Sequence, residues 1–224
     1  MQTALAESAA RRSQTYWLLA RLVLERPSMT LLAELDSTLP TAQVGFAKDE
    51  PLAEEVAQLV ATARVVLGDP TALETLEVDY TRLFAGLSST YGAPAPFESL
   101  ALESRLMGDS TLAVEGAYRN AGLDPSVPEA GPPDHLGVEL RFLSLVCFQE
   151  MEAWQAGDSA TAAGWIERER CFLDEHLLVW VPMHCERLAQ VAQTPYYRAV
   201  ASLLDRACRI DREDVTLLLE LTAS

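Results

Sequence analysis

Behind the segment Gly131-Pro132-Pro133-Asp134-His135-Leu136 stands a run of apolar residues that only a buried helix satisfies. Leu136, Leu140, Leu143, Cys147, Met151 and Trp154 recur at three- and four-residue intervals, and Val138, Phe142, Leu145, Val146 and Phe148 widen the stripe well past one face. Pro132 and Pro133 fix φ and push the residues before them toward extended conformations, so a new helix starts only after them, at Asp134 or His135. A central, mostly buried helix therefore begins at a polar pair, where a backbone hinge and the mouth of a groove both naturally lie.

The rest of the chain is punctuated the same way. Residues 3–25 read as an amphipathic helix ended by Pro27, and Ser28 caps a short helix through Leu35. After a loop over residues 37–50, Pro51 opens a helix whose face is Leu52, Val56, Leu59, Ala63 and Val66 and which stops at Gly68. Asp69-Pro70 restarts the pattern with Leu73, Leu76, Tyr80, Leu83 and Phe84 before Gly86, and the Pro-rich stretch from Gly92 to Phe97 is a loop. Helices are expected over Glu98–Met107 and from a Ser110 or Thr111 cap to Ala121, with Gly122 as a left-handed stop. Asp158-Ser159 turns into a helix bearing Trp165, Ile166, Phe172, Leu173, Leu177 and Trp180, which Pro182 must kink or split. Thr194-Pro195 starts another, and Asp211 caps a last one to about Leu221.

No period-2 run of β-branched residues interrupts this series, so the fold class is all-α, a non-symmetric bundle of roughly ten helices. Four prolines between residues 123 and 133 suggest a hinge between an N-terminal lobe, 1–122, and a C-terminal lobe, 134–224.

Charge and cysteine usage narrow the partners. Thirty-three acidic against seventeen basic residues give a net charge of −16, which disfavours nucleic acid and anionic lipid and favours a cationic partner. Cys147, Cys171, Cys185 and Cys208 lie inside apolar helical patterns without CxxC spacing, as in reduced thiols of a cytoplasmic protein. Arg11-Arg12 followed by Tyr16 to Leu24 faintly mimics an export signal, but Arg21 interrupts the apolar run, Glu25 closes it and no small-residue cleavage site follows. No apolar run is long enough for stable membrane insertion.

Candidate chemistry falls at two places. Asp134 reads either as a helix cap or as a polar anchor for a ligand's guanidinium, with His135 beside it. Tyr80, Leu83 and Phe84, with Pro96, Phe97 and Glu98 in and after the rigid loop, read either as core or as an apolar peptide-binding groove with an acidic rim. Catalytic and metal sites are not expected, and neither is a cofactor. His176, His184 and Cys185 stand eight and nine residues apart, the wrong spacing for ligands on one helix face, and GxGxxG, GxxxxGK[ST] and GxSxG are all missing.

Taken in order, Tyr80-x-x-Leu83-Phe84-x-Gly86, Pro96-Phe97-Glu98-Ser99, Tyr118-x-x-x-Gly122-Leu123, Pro133-Asp134-His135-Leu136-x-x-Glu139-Leu140 and His176-Leu177-x-x-Trp180-x-Pro182 resemble the TorD/DmsD family. These are cytoplasmic chaperones of molybdenum oxidoreductases. The resemblance spans about residues 73–208 and implies an all-helical fold and a binding protein, not an enzyme. The implied partner is the apo form of a molybdoenzyme catalytic subunit with its twin-arginine signal peptide, shielded from premature export and held open for cofactor insertion. On this resemblance Tyr80, Leu83, Phe84, Pro96 and Phe97 match the apolar groove, and Asp134 and His135 the hinge pair. The alternatives are a helical nucleotide hydrolase with Asp134 and His135 as acid and base, or a helical interaction subunit.

Overall fold

The computed structural model describes residues 1–39, 51–84 and 95–222. Its regular elements are helical throughout: α1 (Gln2–Leu24), α2 (Met29–Thr38), α3 (Ala53–Gly68), α4 (Thr71–Phe84), α5 (Glu98–Glu103), α6 (Asp109–Ala121), α7 (Leu136–Gln155), α8 (Ser159–Phe172), α9 (Leu178–Val191) and α10 (Pro195–Thr222). The expected Gly86 stop and most of the 37–50 and 92–97 loops lie outside the described residues. Among the described residues no helix is long and apolar enough to cross a membrane.

Two compact units emerge, one comprising Met1–Arg21, Phe97–Trp180 and Cys208–Ser224, the other Leu22–Pro96 and Val181–Ala207. The boundaries fall inside α1, α9 and α10 and between Pro96 and Phe97. Residues 123–133, expected to separate lobes 1–122 and 134–224, lie inside the first unit. There the Tyr118 hydroxyl donates to the Pro133 carbonyl at 3.0 Å and Arg141 Nη1 to that of Ser126 at 3.3 Å, so the proline-rich segment is bonded to α6 and α7.

In the first unit α7 is the axis, as its wide apolar stripe requires, and packs on α8 and α6. Leu136, Leu140, Leu143 and Cys147 are fully buried, whereas Phe148 at the stripe's edge stays 43% exposed. Tyr118, Phe142 and Phe172 stack with centroids 4.7 to 6.0 Å apart, a large apolar payload at the α6–α7–α8 junction. In the second unit α3 packs against both α2 and α4, and Ser28 caps α2 by accepting from the Leu31 amide at 3.2 Å.

Four local expectations are corrected, each by a partner or conformation outside the local pattern. The helix expected to reach Met107 ends at Glu103, because Ser104 turns left-handed at φ 57°. The Glu103 carboxylate then accepts from the Asp109 and Ser110 amides, so α6 is capped from the preceding turn and not by Ser110 or Thr111. The break required near Pro182 lies upstream of it: a π turn at Leu173–Leu177 separates α8 from α9, which carries Pro182 inside it. Asp211 starts no helix, since α10 runs unbroken for 28 residues and Asp211 is buried on its inner face.

Candidate functional site

The polar pair at the head of α7 joins two helix starts within the first unit. Phe97 and His135 form an isolated antiparallel bridge, and their rings meet edge-on at 5.1 Å. This registers Asp134 against the first turn of α5: its carbonyl accepts from the Glu98 amide at 3.1 Å and its Oδ2 from the Ser99 amide at 2.9 Å. Asp134 therefore caps α5, not its own helix, and supplies acceptors for two amides that a six-residue helix cannot satisfy internally. The cap of α7 is His135, whose Nδ1 accepts from the Gly137 amide at 3.1 Å. That bond leaves the proton on Nε2. Burial pushes the His135 pKa down to about 4, with Asp134 opposing, so the ring is neutral at pH 7.

Glu98 and Asp134, expected on an exposed rim, are 2% and 0% exposed. Glu98 is turned inward, both its oxygens 3.2 Å from His176 Nδ1. Beside it the fully buried Glu139 accepts from the indole Nε1 of Trp180 at 3.3 Å. Burial raises the Glu139 pKa well above the ordinary carboxylate value, and the charges of Glu98 and Asp134 add to it. Tyr118 feels the same field, its hydroxyl pKa raised by burial first and then by Glu139, Asp134 and Glu98. Among the described residues no lysine or arginine pairs with these three acids. Asp134 Oδ1 and Glu139 Oε1 have no hydrogen-bond partner among the described residues. Nor does any set of three or more His, Cys, Asp and Glu side chains among the described residues have an arrangement fit to hold a metal.

The remaining expected residues lie in the second unit. Leu83 and Phe84 are 1% and 6% exposed, Pro96 is buried and Tyr80 is half-buried. Tyr80, Phe84 and Tyr197 form a ring cluster with centroids 5.5 to 6.4 Å apart, and the Tyr80 hydroxyl donates to the Leu24 carbonyl at 2.7 Å. The residue below them, missed from sequence, is Asp79: fully buried, it accepts at Oδ2 from the Gln193 and Thr194 amides at 3.0 and 2.8 Å, seating the start of α10. Glu139, His176 and Trp180 were also missed as a working group. Their signal was a carboxylate on the buried face of α7 and a histidine four residues before a tryptophan, both inside the motifs that carried the family resemblance.

A second polar cluster sits in the first unit and involves the arginine pair that mimicked an export signal. Arg12 is 8% exposed. Its guanidinium bonds Glu150 and, at 3.2 and 3.3 Å, both oxygens of Glu169, with Asp211 at 3.3 Å. Tyr16 donates to Asp211, Trp154 to Glu150 at 2.9 Å and the Cys147 thiol to Glu169 at 2.8 Å. Burial works against the Arg12 charge, yet Glu169, Glu150, Cys147 and Asp211 together hold its pKa well above the ordinary value.

Comparison with known proteins gives the family. The family model described as nitrate reductase delta subunit matches residues 47–186. The chain is 30% identical to the chaperone protein TorD of Aeromonas salmonicida over 221 residues, 97% of each chain. It is 27% identical over 195 residues to that of Vibrio cholerae, 86% of each, and 26% identical over 204 residues to that of Vibrio parahaemolyticus, 90% of this chain and 93% of the relative. A family match over more than half of its length and near end-to-end similarity to these chaperones establish that the chain belongs to the TorD/DmsD family.

Proposed function

We propose that this chain is a cytoplasmic maturation chaperone, a binding protein and not an enzyme, for a molybdenum-containing oxidoreductase. It would bind the client's apo catalytic subunit and its twin-arginine signal peptide, prevent premature export and assist cofactor insertion. The observation that carries the reading is the 30% identity over 97% of both chains with a TorD chaperone. In support, a net charge of −16 complements a cationic signal head. The residues assigned to client binding are Tyr80, Leu83, Phe84 and Pro96 in the second unit and Phe97, Glu98, Asp134 and His135 in the first. Because most of these are buried, they act on this reading as scaffold within their own units, with half-buried Tyr80 the one among them placed to touch a ligand.

The test is titration of a fluorescent twin-arginine peptide, and of its Lys-Lys version, against the full chain and Tyr80→Ala. Wild type should bind the arginine peptide in preference, and Tyr80→Ala should lose about 1–3 kcal/mol with little dependence on salt. Equal binding of a scrambled peptide by wild type would overturn the reading.

A further inference from the structure

The first unit contains a cavity of 520 Å3 between α6, α7 and the α8–π turn, within the size range of small-ligand sites. Its lining includes a strip of small residues on α6, Ala113, Gly116 and Ala117, together with Phe142 and Phe172. The π turn, a backbone irregularity frequent at functional sites, brings Glu175 and His176 to the same space. His176 is 6% exposed, and its Nδ1 is held between both oxygens of Glu98. Its Nε2 has no hydrogen-bond partner among the described residues.

The electrostatics favour a cation. Glu175 is exposed at the cavity, and behind His176 lie Glu98, Asp134 and Glu139, which no lysine or arginine among the described residues neutralises. The cation on the wall, Arg168, is engaged within its own helix, stacked 4.8 Å over Trp165 and donating to the Gly164 carbonyl at 3.0 Å. With Nδ1 turned to the Glu98 carboxylate, Nε2 is the ring nitrogen left for an incoming ligand, and in the Nδ1–H tautomer it accepts one N–H. Phe142 and Phe172, each 2% exposed, give the lining an aromatic patch for a flat cation, and the exposed Glu175 carboxylate accepts its N–H groups. A guanidinium satisfies all three requirements, whereas a lysine ammonium is a point charge that stacks poorly.

We propose that this cavity is the seat of an arginine side chain of the client's signal segment, read by Glu175, by Nε2 of His176 and by the Phe142 and Phe172 rings. The inference deepens the proposed function and rests on it for the identity of the ligand. It also gives buried Glu98 a role: it is a positioning residue that orients His176 and does not itself touch the peptide.

Cys171 lines the cavity and is partly exposed, while Cys147, Cys185 and Cys208 are buried, so alkylation of Cys171 reports occupancy. A Cβ at Gly116 would meet nothing within 4 Å and Gly116 lines the cavity, so Gly116→Leu adds its side chain there with no clash at its Cβ. Iodoacetamide labelling of the full chain should slow at least threefold in N-acetyl-arginine amide and less in N-acetyl-lysine amide. Gly116→Leu should abolish that protection, and Glu175→Gln should raise its midpoint about twofold to fivefold. Absence of protection in wild type, equal protection in Gly116→Leu, or protection by inorganic phosphate in its place would overturn the seat. If the twin-arginine peptide binds wild type and Gly116→Leu alike and leaves labelling unchanged, the seat is wrong and the chaperone reading stands. If N-acetyl-arginine amide protects while the peptide does not bind, the seat stands and the signal-peptide reading falls.

Discussion

The two acid clusters of the first unit are built from similar residues and arranged for opposite ends. Around Arg12, three carboxylates from α7, α8 and α10 close on one permanent cation and take further hydrogen bonds from Tyr16, Trp154 and Cys147. Around His176, Glu98, Asp134 and Glu139 have no permanent cation among the described residues, and two of their oxygens lack a partner there. In the first cluster burial raises the pKa of Glu169, Glu150 and Asp211 while Arg12 opposes the rise, so attraction within the core offsets part of the desolvation cost. In the second the neighbouring charges reinforce burial at Glu139. A closed network pins helices together. An open one beside a cavity keeps unspent acceptors and negative potential, which is what a site for a cation needs.

The strongest way to break this comparison is to remove the cation. Arg12→Met leaves three acids buried against one another and should cost about 3–5 kcal/mol of unfolding free energy in chemical denaturation. A loss below about 1 kcal/mol would mean that the cluster is not what ties α1 to α7, α8 and α10.

A smaller effect isolates the junction by pH. The His135 pKa is about 4 in the fold against 6.5 for the free side chain, so between these values the unfolded chain binds a proton that the folded one does not. The neutral-ring contribution is therefore complete above pH 6.5 and is lost as pH falls toward about 4, a loss of about 3 kcal/mol at most. His135→Asn keeps an acceptor at the cap and removes the titration, so the gap in unfolding free energy between wild type and variant should shift by that amount across the window. A constant gap would show that His135 titrates alike in both states. Glu139, Glu150 and Glu169, with raised pKa values, push stability the other way as pH falls, and taking the difference against the variant cancels them.

The smallest effect sharpens the contrast directly. Glu98→Gln removes one of three crowded acids and keeps an acceptor for His176 Nδ1, so it should change stability by about 1 kcal/mol or less. Glu169→Gln, which removes a charge paired with Arg12, should cost more. Equal losses in thermal unfolding of the two variants would erase the distinction drawn between the clusters.

Much of the helical bundle was legible in the chain itself because its causes are local. Ser28 caps α2, Asp158 caps α8 and Gly122 ends α6 at φ 68°, each acting on amides or carbonyls within one turn. The apolar stripe of α7 and the face of α3 follow from a 3.6-residue period that needs no knowledge of a partner. The aromatic and Asp134-His135 positions were legible as special, but not what they would touch. That depended on contacts between residues far apart in sequence: Arg12 meets Glu150 across 138 positions, Tyr16 meets Asp211 across 195, and Glu98 meets His176 across 78. A charged residue on an apolar face costs several kcal/mol unless a partner arrives, and nothing within one helix says which partner it is. Periodicity and caps are properties of neighbouring residues, so sequence determined the helices. Compensation of buried charge is a property of packed helices, so the tertiary structure alone decided that Arg12 is a core residue, that Asp134 caps α5 and that His176 opens onto a cavity.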